Sequence, residues 1–295
     1  MDDRIAKWKH LFDEDDNGIS KSLSKLAWDL TAFTSLVEIV RRASTVDGEK
    51  QLNSMLLEML VSGFWVNMMQ GVRRLVDRET IHGARGVCSI AGLVADVRSV
   101  RSKVSRRVFV ESIAGVDYNY AVLEAEELRF MLGHAPGQPI AFARDAAPEP
   151  SIRRHQLFDW LSGTTPGTSR PDDLIREEVF DKLEARLTAL DRIVDHVNVE
   201  IAHAATEFSR SGRMLERWNL TDAKNTLKEL VQIAELVGEW FCYSGVGSVL
   251  PTPQFDQFAH LDKPFFVGDT LPLQQAWDTM GEEIATWHHI DAEDL

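Results

Sequence analysis

Apolar residues along most of this chain recur at three- and four-residue steps, the period of one helix face. Leu23, Leu26, Leu30, Phe33, Val37 and Val40 set that rhythm over residues 19–46, between Asn17-Gly18 and Asp47-Gly48. A second helix is predicted over 49–77, so apolar in its middle that deep burial is expected. The two-glycine turn "RETIHGARG" follows, then a third helix over 89–115 and a fourth over 118–133. Residues 133–172 lose the period and are rich in Gly, Pro, Ser and Thr. They read as a long connection with a short helix around "SIRRHQLFDWL", and as the natural internal boundary.

The period returns over 172–210, where Asp172 or Asp173 can cap a long helix whose first turn is acidic. Another helix spans 221–245, starting at Thr221. Residues 246–269 are irregular and aromatic and are expected to lie as an extended cover. A last amphipathic helix over 270–290 has Thr270 as cap and Trp277, Ile284 and Trp287 on one side. No strand pattern and no internal repeat is present. The predicted fold class is therefore all-α, a bundle of long helices forming a single domain over 1–295 with an irregular C-terminal cover.

Composition narrows the functional classes. No run of 18 apolar residues occurs, so no membrane partner is expected, and the polar start "MDDRIAKWKHLFDEDD" lacks a signal-peptide core, which points to a cytoplasmic protein. Cys88 and Cys242 show no metal-type spacing and read as reduced structural thiols. The net charge of −14 excludes a general polyanion binder, because such binding is driven by neutralising phosphates. Positive charge would have to be local. The stretch "DVRSVRSKVSRRVF" offers Arg98, Arg101, Lys103, Arg106 and Arg107 with no acid after Asp96. It is either a phosphate-contacting stripe or a solvated helix face.

The candidate chemistry concentrates in "DHVNVEIAHAA", residues 195–205. At about 100° per residue, Leu190, Ile193, Val194, Val197, Ile201 and Phe208 share one face, the core face. His196, His203, Arg192, Glu200 and Glu207 share the polar face. That stripe is either a site or a solvated surface. Glu200-Ile-Ala-His203 also has the Glu-x-x-His form of di-iron bundles, as does Glu79-Thr-Ile-His82. The first points away from the core and the second falls in a turn, so no metal site is assigned. No phosphate loop, nucleophile elbow or His-Glu-x-x-His motif is present, and no cofactor is expected.

"VNVEIAHAA" resembles the signature of the HEPN superfamily, all-helical proteins of prokaryotic defence systems, written Arg-Asn-x-x-x-Ala-His. Asn198, Ala202 and His203 stand at the Asn, Ala and His places. "FWVNMMQGVRRLVDRETIHGARGVCSIAGLVADV" is similar to a segment of AbiU2-like members, with Trp65, Arg74, Leu75, Asp77 and Ser89 in the corresponding places. The likeness spans about residues 20–240. It implies a metal-independent ribonuclease acting as a homodimer with a composite cleft, with RNA as substrate and an antitoxin or other protein as partner. It departs at the arginine, which falls on core-facing Val197. Arg192 lies eleven residues from His203, about 16 Å along a helix, beyond reach of the same phosphate within one chain.

In such chemistry the ribose 2′-OH is the nucleophile. His203 suits the acid or base role and His196 can share it. Arg192, or an arginine of residues 98–107, would hold the phosphate. The alternatives are a HEPN-like bundle that lost catalysis with its arginine and serves as a binding or regulatory module, and, third, a helical metal-binding protein.

Overall fold

A computed structural model describes residues 1–133, 148–165, 167–197, 218–261, 263 and 267–287. It is mostly helical, as the periodicity predicts. The chain divides into two compact units, Met1–Pro251 and Thr252–Leu295.

The first unit begins with α1 (Asp2–Lys9), a helix the period analysis passed over. Its signal is short: Ile5, Trp8, Leu11 and Phe12 keep helical spacing and all four are buried. Trp8 anchors it further, donating from the indole to Asp96 at 2.7 Å. α2 (Ile19–Arg42) and α3 (Ser54–Leu75) pack on each other, joined through the two-residue pair β1 (Thr45–Val46) and β2 (Glu49–Lys50). Asn53 caps α3 by accepting from the Leu56 amide at 2.9 Å. Only the second half of α3 is deeply buried, through Phe64, Met68, Met69, Val72 and Leu75. Met55, Met59 and Leu60 are exposed, so the apolar character of the first half does not place it in the core. Gly71 lets the two helices close up, since a Cβ there would meet Leu26 Cδ2 at 2.6 Å.

The expected third helix is interrupted earlier than its sequence suggests. α4 (Ile90–Ser99) ends, a single 3₁₀ turn follows over Arg101–Lys103, and a wider helical turn resumes at Val108–Ile113. The cause is tertiary. The amides of Arg106 and Arg107 donate to Asp173 and Pro171 carbonyls at 3.0 and 3.1 Å instead of closing a helical ladder. α5 (Tyr120–Leu132) follows.

The 133–172 connection carries the short helix expected in it. Its residues 148–162 form α6 (Pro148–Ser162), which buries Ser151, Arg154, Phe158 and Leu161 inside the first unit. Residues 134–147 lie outside the described residues.

The long 172–210 helix is also divided. α7 (Glu177–Thr188) starts five residues later than expected, and Arg176, not an aspartate, stands at its cap position. Asp173 serves Arg106 instead. α8 (Asp191–His196) continues after a break at Ala189-Leu190 and packs on α3.

α9 (Leu220–Val237) is the central helix, in contact with α2, α3, α4 and α7. Ala223, Leu227, Leu230, Ile233, Ala234 and Val237 are all buried. Its cap is Asn219 rather than Thr221, in a reciprocal capping box with Asp222. A wider turn, Gly238–Cys242, closes the element. Gly238 is needed there, because a Cβ would sit 2.3 Å from the Phe12 ring and 2.4 Å from the Ser244 carbonyl.

In the second unit, residues 252–261 are turns and bends, and Phe255, Phe258 and Leu261 are exposed. α10 (Leu271–Thr286) carries Leu273, Trp277, Met280 and Ile284 at helical spacing, all exposed. No helix among the described residues is long and apolar enough to cross a membrane.

Candidate functional site

α8 leads directly into the histidine stretch. Its position is set by Arg78, which reaches across the α7–α8 break: it donates to Glu184 at 2.9 Å, to the Thr188 hydroxyl at 3.2 Å and to Asp191 at 2.8 Å. These carboxylates raise the Arg78 pKa still further, so the clamp is charged throughout the accessible range. Val197 is fully buried, on the face where helical projection puts it. Arg192 is exposed, with its guanidinium 5.3 Å from the centre of the Trp218 ring. His196 falls at the end of α8. Asn198 and His203, with Glu200 and Glu207, lie outside the described residues.

The basic stretch of residues 98–107 is not a continuous helical stripe. Arg98 donates to Glu177 and Asp181, both at 2.7 Å. Arg101 pairs with Glu177 at 2.9 Å and donates to the Ile175 carbonyl at 2.6 Å. Both therefore tie α4 and the 3₁₀ turn to the start of α7. Arg106 is completely buried. It lies 2.6 Å from Asp159, donates to Asp173 at 2.9 Å and to the His155 carbonyl at 3.1 Å. It locks α6 and the segment before α7, and no external phosphate can reach it. Lys103 is exposed, and Arg107 is exposed with its guanidinium 5.2 Å from the Tyr118 ring centre.

The second Glu-x-x-His unit has a structural partner. His82 Nε2 and Asp96 Oδ1 are 2.8 Å apart, and Asp96 also receives the Trp8 indole. Among the described residues no group of three or more His, Cys, Asp or Glu is placed to hold a metal. Both cysteines are free thiols, and burial pushes their pKa values up, which leaves them protonated and poorly nucleophilic.

A cleft of about 530 Å³ opens between α2 and α3. Ser22, Lys25 and Leu26 come from α2, and Asn67, Gln70, Gly71, Arg73 and Arg74 from α3. Asp77 and Val197 complete the wall. Val197 thus faces this cleft from the residue just before Asn198. Arg74 donates to the Ser22 hydroxyl at 2.7 Å, and that hydroxyl donates to the Gly18 carbonyl at 2.7 Å. Arg73 Nε is buried with no hydrogen-bond partner among the described residues. Sequence reasoning named Arg74 only through a resemblance and did not name Arg73, Lys25, Asn67 or Gln70. The pair Arg73-Arg74 was visible, but its meeting with Lys25 depends on how α2 and α3 pack.

A second cleft, of about 420 Å³, is lined by Arg153, Arg154, Glu235, Glu239 and Tyr243 among others. Arg154 is 3% exposed and lies flat over Phe109, 3.6 Å from its centroid. It donates to the Glu239 and Trp240 carbonyls at 2.7 and 3.2 Å. Burial pushes its pKa down to about 10. Its work is to satisfy the orphan carbonyls where α9 ends.

Against known proteins, no family model, no curated protein and no solved structure matches the chain.

Proposed function

We propose that this chain is a HEPN-like protein of a prokaryotic defence or toxin–antitoxin type system. In this reading it is a cytoplasmic homodimer that cleaves RNA without a metal. His203 takes the proton of a ribose 2′-OH, and the 2′ oxygen attacks the adjacent phosphorus. The 5′ oxygen leaves and takes a proton from a second acid, for which His196 is the candidate, and a 2′,3′-cyclic phosphate remains. The observation that carries the reading is the cation-lined cleft that Val197 faces. In a chain of net charge −14, Val197, the residue before Asn198 in sequence, lines a cleft with Arg73, Arg74 and Lys25.

The test is cleavage of total RNA and a tRNA pool in EDTA by purified wild type and His203→Ala. The expected result is cleavage by wild type and its loss in a variant whose circular dichroism is unchanged. Equal cleavage by both proteins refutes the role of His203.

One observation favours a second reading. Where the family carries its arginine, this chain has Val197, fully buried. A bundle that lost catalysis and kept a binding role accounts for that directly. It predicts no cleavage at any pH or metal concentration, together with retention of a specific protein or RNA partner in pull-down.

A further inference from the structure

The α2–α3 cleft gathers the side chains of Lys25, Arg73 and Arg74. We propose that it is a binding site for the phosphate of an RNA backbone, with Arg73 as its principal clamp and Lys25 and Arg74 beside it. The inference rests on the RNA-directed reading above and supplies the guanidinium that Val197 does not carry.

Lys25, Arg73 and Arg74 line this cleft with one carboxylate, Asp77, and Lys25 pairs with Asp29 on its own helix at 2.8 Å, so the two arginines are the charge the site would use. Elsewhere in the first unit Arg78, Arg98, Arg101, Arg106 and Arg186 each pair with a carboxylate within 3 Å. Neither Arg73 nor Arg74 pairs with a carboxylate among the described residues; Arg74 meets only the neutral Ser22 hydroxyl. The buried Arg73 Nε–H has no acceptor among the described residues, and an incoming oxyanion would provide one. Asn67, Gln70 and Arg74 follow at i, i+3 and i+7 on α3, so two neutral amide donors share the face of a cation. Gly71 lies in the cleft wall and lets α2 and α3 approach, since a Cβ there would strike Leu26.

Compensation of the α3 dipole explains cations in its last turn. It does not explain a buried guanidinium N–H left without an acceptor among the described residues. The volume, about 530 Å³, exceeds a single phosphate and suits a nucleotide unit of a strand.

The experiment is fluorescence anisotropy of a labelled 12-nucleotide RNA over a salt series, with competition by inorganic phosphate and by adenosine monophosphate. Wild type is compared with Arg73→Gln, Arg73→Lys, Lys25→Gln and the control Arg170→Gln, each checked by circular dichroism. The expected result is that Arg73→Gln weakens RNA binding about tenfold and lowers the salt slope by about one phosphate contact, while Arg170→Gln changes neither. Arg73→Lys keeps the charge, is the fallback should the glutamine variant fold poorly, and is expected to fall between. Equal affinity and slope for the Arg73 and Arg170 variants overturn the proposal, as does wild type that binds no RNA. Arg73-dependent binding of phosphate or the nucleotide without RNA binding overturns the RNA assignment. Arg73-dependent RNA binding without His203-dependent cleavage supports the cleft and sinks the catalytic reading. His203-dependent cleavage indifferent to Arg73→Gln does the reverse.

Discussion

At the scale of single residues, the arginines divide by what surrounds them, not by where they stand in the sequence. Arg106 and Arg107 are neighbours, yet the first is sealed between Asp159 and Asp173 and the second is exposed over Tyr118. Removing Arg106 leaves two carboxylates partly buried and unpaired. Arg106→Ala is therefore expected to lower stability by about 3–5 kcal/mol, read from urea denaturation. A loss below about 1 kcal/mol would show that water replaces the guanidinium there. Gly238→Ala tests close packing: with the Phe12 ring at 2.3 Å from the added carbon, a loss of about 1–3 kcal/mol is expected.

His155 gives a pH signature. Burial holds its pKa below the usual histidine value, while its ring meets the Tyr118 carbonyl at 2.8 Å. The unfolded chain then binds the proton first on acidification. Stability that is present above the unfolded histidine value is lost as pH falls through it toward the folded value. Melting temperatures from pH 7.5 to 5 should fall, and His155→Phe should flatten that slope. An unchanged slope would contradict a neutral, desolvated ring. None of these three fates was legible in the sequence, because each depends on a partner far along the chain.

At the scale of elements, the helices were legible and their interruptions were not. Period and turn residues located α2, α3 and α10 to within about five residues, while the helix predicted over 221–245 ends as α9 at Val237 and goes on as a wider turn to Cys242. The break after Ser99 arises where Arg106 and Arg107 amides bond to the segment before α7. Local propensity contains no trace of that bridge. The same holds at Ala189, where Arg78 spans the gap between α7 and α8. α6 matches the short helix expected around residues 151–161 and runs a little beyond it, held by buried Arg154, Phe158 and Leu161. The start of α9 offers a clean test. Asn219 accepts from the Thr221 and Asp222 amides at 2.8 and 3.2 Å. Asn219→Ala should cost about 1 kcal/mol in urea denaturation, and Asn219→Asp much less. Equal losses for the two would mean that the cap is not what starts the central helix.

At the scale of the whole molecule, the problem is how an acidic chain would hold a polyanion. The basic stretch of residues 98–107 drew attention by density, yet Arg98, Arg101 and Arg106 are spent on joining α4, α6 and α7. Lys25, Arg73 and Arg74 come together instead between α2 and α3, from positions more than 40 residues apart that no linear pattern connects. Val197 was legible as a core-facing residue from helical projection alone, and its burial follows from that face. Its role as one wall of the Arg73–Arg74 cleft was not, since that depends on α8 packing on α3.

The most direct test of the account is the chemistry of the RNA ends. Purified wild type would be incubated in EDTA with a defined RNA oligonucleotide and with its all-2′-deoxy counterpart, and the products weighed by mass spectrometry. The account predicts shortened RNA fragments ending in 2′,3′-cyclic phosphate and an untouched deoxy strand. Intact RNA, or equal cleavage of both strands, would contradict it.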